Sequence, residues 1–106
     1  MYRLRDYTYK GRTIGKVNSP AIQPDGIYIH TTPKKYVNPE ALELMIMCLL
    51  DGYEYKMGTS GELWIKLPRN TKYGPILNGI ARAYYELQTG KQEPAEGQTQ
   101  LKEAAD

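Results

Sequence analysis

Apolar and polar positions alternate along residues 2–17, which predicts two strands joined by a two-residue turn at Lys10-Gly11, with glycine supplying the positive φ that such a turn needs. Pro20 and Pro24 assign residues 18–25 to loop, and the β-rich run GIYIHT, residues 26–31, reads as a third strand. Asn38-Pro39-Glu40 then combines an N-cap, a proline at the first helical position and an acid in the first turn. The helix that follows runs from Pro39 to Leu50 and stops at Asp51-Gly52, with glycine as its left-handed cap. Its interior, ALELMIMCLL, is apolar almost all round and calls for burial on more than one side.

Residues 53–57 and 62–67 predict a second hairpin around Gly58-Thr59-Ser60-Gly61. A four-residue loop sets Tyr55 opposite Trp64, whereas a change of one residue reverses the faces, so the register stays open. Asn70 and Thr71 offer caps for a second helix that begins between Thr71 and Gly74, with Pro75 in its first turn, and ends at Gly90. Ile76, Leu77, Ile80, Ala81, Tyr84 and Leu87 form its apolar stripe, leaving Asn78, Arg82 and Glu86 outward.

The element order β-β-β-α-β-β-α predicts an α+β fold: a small antiparallel sheet of about five strands with two helices packed on one face. Residues 1–90 form one domain. Residues 91–106 contain almost no large apolar side chains and are expected to be a flexible polar tail.

Composition narrows the classes further. With 41% hydrophobic and 25% charged residues the chain is neither collagenous, wholly disordered nor membrane-spanning. Ten tyrosines and one tryptophan, with no phenylalanine, mean that nearly every ring carries a polar atom suited to half-exposed sheet faces and interfaces. Cys48 is the only cysteine, so an intramolecular disulfide and a thiolate metal cluster are both excluded. The charged start, MYRLRDYTYK, has no apolar stretch of signal-peptide length, and the longest apolar run, Leu44 to Leu50, is too short to span a bilayer. No membrane association is expected, and the expected compartment is the cytoplasm.

The net charge of +2 is unevenly spread: within residues 1–36 seven Lys or Arg stand against Asp6 and Asp25, an excess of +5. A regular hairpin about Lys10-Gly11 pairs Tyr9 with Arg12, Tyr7 with Ile14 and Arg5 with Lys16. One sheet face then carries Arg3, Arg5, Tyr7, Tyr9, Arg12 and Lys16, and interleaved rings and cations suit bases and phosphates. Arg69 and Lys72, with Asn70 and Thr71 at the start of the last helix, make a second candidate for an anion. The plainer reading of the first group is a solvated basic face, and of the second, ordinary capping.

No catalytic constellation stands out, and no cofactor is called for. Gly58-Thr59-Ser60-Gly61 lacks the lysine and spacing of a phosphate-binding loop, and Ser60 lacks the flanking pattern of a nucleophile elbow. His30, the one histidine, has no helically spaced acids to complete a metal site and reads as a surface residue, while Glu40 and Glu43 read as solvated helix positions. Gly26-Ile27-Tyr28 resembles the opening of the GIY-YIG nucleases over three residues, but Val37-Asn38-Pro39 stands where that family's second triplet belongs, and no family is assigned.

The expectation is therefore a non-enzymatic binding module that holds a phosphate-bearing ligand, nucleotide or nucleic acid, as a homo-oligomer through the apolar helix Pro39 to Leu50. The rival is a small regulator or inhibitor, of the kind carried by mobile elements or phages, that docks on a protein target through Tyr, Trp and Met.

Overall fold

The computed structural model describes residues 3–90, and the polar tail expected at 91–106 lies outside them. The chain forms β1 (Leu4–Tyr9), β2 (Arg12–Asn18), β3 (Ala21–Gln23), β4 (Gly26–Pro33), α1 (Pro39–Ile46), β5 (Glu54–Met57), β6 (Leu63–Leu67) and α2 (Gly74–Thr89). This is the predicted α+β fold, with all pairings antiparallel in the order β1-β2-β4-β6-β5 and β3 also paired with β4. Among the described residues no helix is long and apolar enough to cross a membrane.

The extra strand lies where Pro20 and Pro24 predicted only loop. β2 and β3 follow the same edge of β4, interrupted at Ser19-Pro20, where the proline cannot donate to a ladder. The buried Asn18 side chain fills the gap: its amide nitrogen donates to the Tyr28 carbonyl at 3.3 Å, and its oxygen accepts from the His30 N–H at 2.7 Å. One side-chain amide thus satisfies both groups that the interruption leaves without strand partners.

The first hairpin turns as predicted, with Lys10 and Gly11 both at positive φ (51° and 76°). Its register is not the predicted one. Tyr9 does pair with Arg12, but Thr8 pairs with Thr13 and Tyr7 with Gly15, leaving Ile14 as the extra residue of a β-bulge. Ile14 and Val17 are both buried yet three positions apart, a spacing that regular alternation cannot place on one face. The bulge resolves the conflict, and the Ile14 carbonyl accepts from Lys34 N–H and from Gln88 Nε2, each at 2.9 Å. Gly15 is required beside it, because a Cβ there would lie 2.0 Å from the Thr32 carbonyl oxygen.

Both helices cover one face. Ile27, Ile29, Leu63, Ile65 and Leu67 from the sheet meet Leu42, Ile46 and Leu50 from the α1 region and Ile76, Ile80, Ala81, Ala83 and Tyr84 from α2. Tyr84 is fully buried, donating its hydroxyl to the Gly61 carbonyl and accepting from Thr31 Oγ1, both at 2.7 Å. Tyr7 packs edge-on against Tyr84 and donates to the Leu77 carbonyl. Burial pushes both phenols above the ordinary tyrosine range, so they remain neutral donors.

The helices depart from expectation in three respects. α1 ends at Ile46 instead of Leu50, the chain continuing in turns through Asp51 to the left-handed Gly52. Leu42, Ile46 and Leu50 are buried, but Leu44, Met45 and Met47 are exposed, so within one chain the apolar helix is covered on a single side. Asn38 caps it as predicted, accepting from the Glu40 and Ala41 N–H groups. At α2 neither Asn70 nor Thr71 is the cap: the N-cap is Tyr73, without a side-chain bond, and Pro75 removes one of the donors that a cap would serve. Glu86, expected outward, is buried and accepts from Arg82 Nε at 2.9 Å one turn earlier.

Replacing Asn18 with alanine leaves two part-buried backbone groups at the β2/β3 interruption without their partner and should cost about 1–3 kcal/mol of stability in urea unfolding. A change under about 0.5 kcal/mol would show that water substitutes freely for the amide.

Candidate functional site: the open face of the sheet

The bulge at Ile14 disperses the residues predicted to converge on the first hairpin. Beyond it every β2 side chain changes face relative to β1, so Arg5 lies across from Val17 and Lys16 across from Asp6. Tyr7 is core, and Tyr9 packs beneath α2 on Tyr85 with ring centroids 5.3 Å apart. Lys16 is on the opposite face, bonded to Asp6 at 2.7 Å, and that contact holds the Asp6 carboxyl below its ordinary range. Arg3 and Arg5 are exposed near the sheet edge, and Arg12 is exposed beside the turn. Arg69 and Lys72 are exposed in the segment after β6, which leaves the sheet at the Ile27–Leu67 pair, the end opposite Arg12. The eight residues therefore form no single site.

The face without helices brings other residues together. In β4 and β6 the apolar members Ile27, Ile29, Leu63, Ile65 and Leu67 point inward, so the period of two sends Tyr28, His30, Trp64 and Lys66 outward. Pairing of His30 with Trp64 and of Tyr28 with Lys66 makes two adjacent rows, which β5 extends with Lys56 beside Trp64 and Glu54 beside Lys66. Tyr55 lies opposite Ile65, which resolves the register left open by the loop.

The His30 and Trp64 rings stack with centroids 4.9 Å apart and 11° between planes. Trp64 nevertheless remains 43% exposed and Tyr28 36%, and together they line a shallow depression of about 290 Å³. The Lys66 ammonium lies 5.8 Å from the Tyr28 ring centre, 3.4 Å from Asp25 and 3.9 Å from Glu54. Tyr28 donates its hydroxyl to Asp25 at 2.6 Å, and that bond, with help from Lys66, keeps the Asp25 carboxyl below its usual range. Lys56 makes no ion pair among the described residues.

Chemically, the face offers flat π-surfaces with ammonium groups at their rim. That suits a planar ring joined to an anionic group: the ring stacks, and the anion meets Lys56 or displaces the acids around Lys66. Exposed pairs such as Lys16–Asp6 contribute little to stability, so a ligand can break them at small cost. Among the described residues no group of three or more His, Cys, Asp or Glu side chains is placed to hold a metal.

Sequence reasoning reads His30 as a surface residue, whereas its ring is half-buried against Trp64, and it leaves Trp64 without a fixed partner. The alternation within each strand already carried the signal, but only the β4–β6 adjacency, a long-range pairing across α1, makes one platform of them. Comparisons with protein-family models, curated proteins and solved structures return no match, so the site is read from its own geometry.

His30 titrates below its ordinary value of 6.5, because burial beside Trp64 disfavours the imidazolium more than Glu62 favours it. Below 6.5 the unfolded chain binds the proton more readily than the folded one, so this contribution to stability is present above 6.5 and lost as pH falls beneath it. The unfolding midpoint should drop between about pH 7.5 and about pH 5.5, and should drop less in His30→Gln. An NMR titration midpoint for His30 at or above 6.5 would contradict this.

Proposed function

We propose that this protein is a non-enzymatic binding module, and that it holds a phosphate-bearing ligand with a planar base, a nucleotide or single-stranded nucleic acid, on the open face of its sheet. The observation that carries the reading is Trp64: a large ring left 43% exposed at the centre of a helix-free face, stacked on His30 and flanked by Tyr28, Lys56 and Lys66. Lys16, a member of the sequence-derived set, lies on the same face. A reducing compartment, the cytoplasm, agrees with a lone, exposed Cys48 thiol.

The competing reading, a regulator or inhibitor docking on another protein, draws on the same face, because Tyr28 and Trp64 are large rings exposed together there. Salt separates the two. Phosphate contacts weaken steeply between about 50 and 200 mM salt, whereas an aromatic protein interface is much less sensitive.

Trp64 is the only tryptophan, so its fluorescence reports on this face alone. Nucleotides or short oligomers should quench it in a salt-dependent way. With a fluorescent oligomer, anisotropy should show Trp64→Ala weakening binding by about fivefold to a hundredfold, the equivalent of about 1–3 kcal/mol for one lost stack. Unchanged affinity in that variant would remove the platform from the account.

The exposed side of α1 supports the second part of the expectation, association with another copy of this chain. Leu44 is 74% exposed and Met47 50%, more apolar surface than a helix normally leaves in water. Sedimentation should show an oligomer that Leu44→Lys with Met47→Lys converts to monomer. A wild-type chain that stays monomeric at high concentration would refute it.

A further inference from the structure

The open face does not end at Trp64. Along β4 the outward positions Tyr28, His30 and Thr32 follow one another at about 7 Å, and Thr32 pairs with Lys16. Immediately beyond β4 come Lys34 and Lys35, both exposed, and round the end of the sheet, on the helix-bearing side with its partner Tyr9, lies Arg12. Two further depressions, separate from the first, lie in this direction. One of about 410 Å³ is lined by Asp6, Lys16 and Lys34 among others, and it shares Thr13 and Lys34 with another of about 80 Å³ at the sheet end, where Arg12 and Lys35 meet Gln88 and Thr89 of α2.

Charge changes along this line. Around Trp64 the lining carries Glu54, Lys56 and Lys66, a net of +1 with His30 neutral. At the far corner Arg12, Lys16, Lys34 and Lys35 stand against Asp6 alone, a net of +3 among the lining residues. Arg12, Lys34 and Lys35 make no ion pair among the described residues, so their charges are available. The geometry is also anchored: the Lys34 N–H donates to the bulged Ile14 carbonyl at 2.9 Å, which fixes the chain carrying Lys34 and Lys35 against the strand that carries Arg12.

From these observations we infer that the ligand is a single-stranded nucleic acid of several nucleotides, with bases stacked on Tyr28, His30 and Trp64 and its phosphates passing Lys16 and turning round the sheet end to a subsite made by Arg12, Lys34 and Lys35. A base on Trp64 and a phosphate at the corner lie farther apart than one nucleotide reaches, so a mononucleotide fills only the aromatic end. The path from Tyr28 to Lys34 spans six residues, about 20 Å, comparable with the smaller single-strand grooves. This inference rests on the proposed binding reading and adds to it the polymeric character of the ligand and the position of its backbone.

The test compares the full chain with the variant R12A/K34A/K35A, using a mononucleotide, a single-stranded oligomer of about 12 nucleotides and its duplex. Trp64 quenching and oligomer anisotropy are followed between about 50 and 200 mM salt. The expected result is unchanged mononucleotide quenching, oligomer binding weaker by at least about tenfold, and a salt slope smaller by about 2 for three lost phosphate contacts. Should the triple variant unfold, the glutamine variants K34Q and K35Q, at exposed positions, carry the same comparison with a proportionally smaller slope change. Oligomer affinity and slope unaltered by these changes, with Trp64 still quenched, would overturn the corner subsite and leave the binding reading standing. Equal or tighter binding of the duplex would overturn the single-strand assignment. No response of Trp64 to any of the three would overturn both.

Discussion

Both helices cover the same face of the antiparallel sheet, and in this protein that constraint decides what every strand side chain does. The inner face takes the isoleucines and leucines of β4 and β6 and closes them under α1 and α2. The outer face receives whatever alternates with them, and here that is Tyr28, His30, Trp64 and Lys66. Rings placed in water on a helix-free surface contribute little to folding, which is why function is sought there.

Two local devices keep the two faces distinct. The bulge at Ile14 moves Val17 into the core and Lys16 out of it, and Gly15 allows the close approach to Thr32 that the bulge requires. Asn18 carries the β4 edge across the interruption between β2 and β3, holding the backbone of Tyr28 and His30 where the platform needs them. Positioning of the aromatic rows is thus an outcome of backbone hydrogen bonding at the neighbouring edge, not of contacts among the rings alone. Tyr84, tied to Thr31 and Gly61, links the inner side of the same strand to the β5–β6 loop.

Local chemistry made much of the fold legible. Asn38-Pro39 located the start of α1, Gly90 the end of α2, and Lys10-Gly11 the first turn, because each depends on a few adjacent residues. What could not be read were features set by distant partners. The third strand exists only because β4 offers it an edge, and Pro20 and Pro24 concealed it. The register of the first hairpin was misread because a turn fixes pairing only up to the first bulge; the buried spacing Ile14-x-x-Val17 with Gly15 between them was the available warning. The candidate site suffered most, since it depends on which strand lies beside β4, and β6 is separated from it in sequence by a helix and a strand.

The central claim is that the helix-free face is where a ligand sits, and backbone NMR of the uniformly labelled chain titrated with a single-stranded oligomer addresses it most directly. The account predicts shifts concentrated at the Trp64 indole N–H and the amides of Tyr28, His30, Lys56 and Lys66, extending through Lys16 toward Lys34, with Tyr7, Tyr84 and the α1 segment unmoved. Shifts confined to α1, or to Arg5 and Tyr9 on the helix-bearing side, would contradict it.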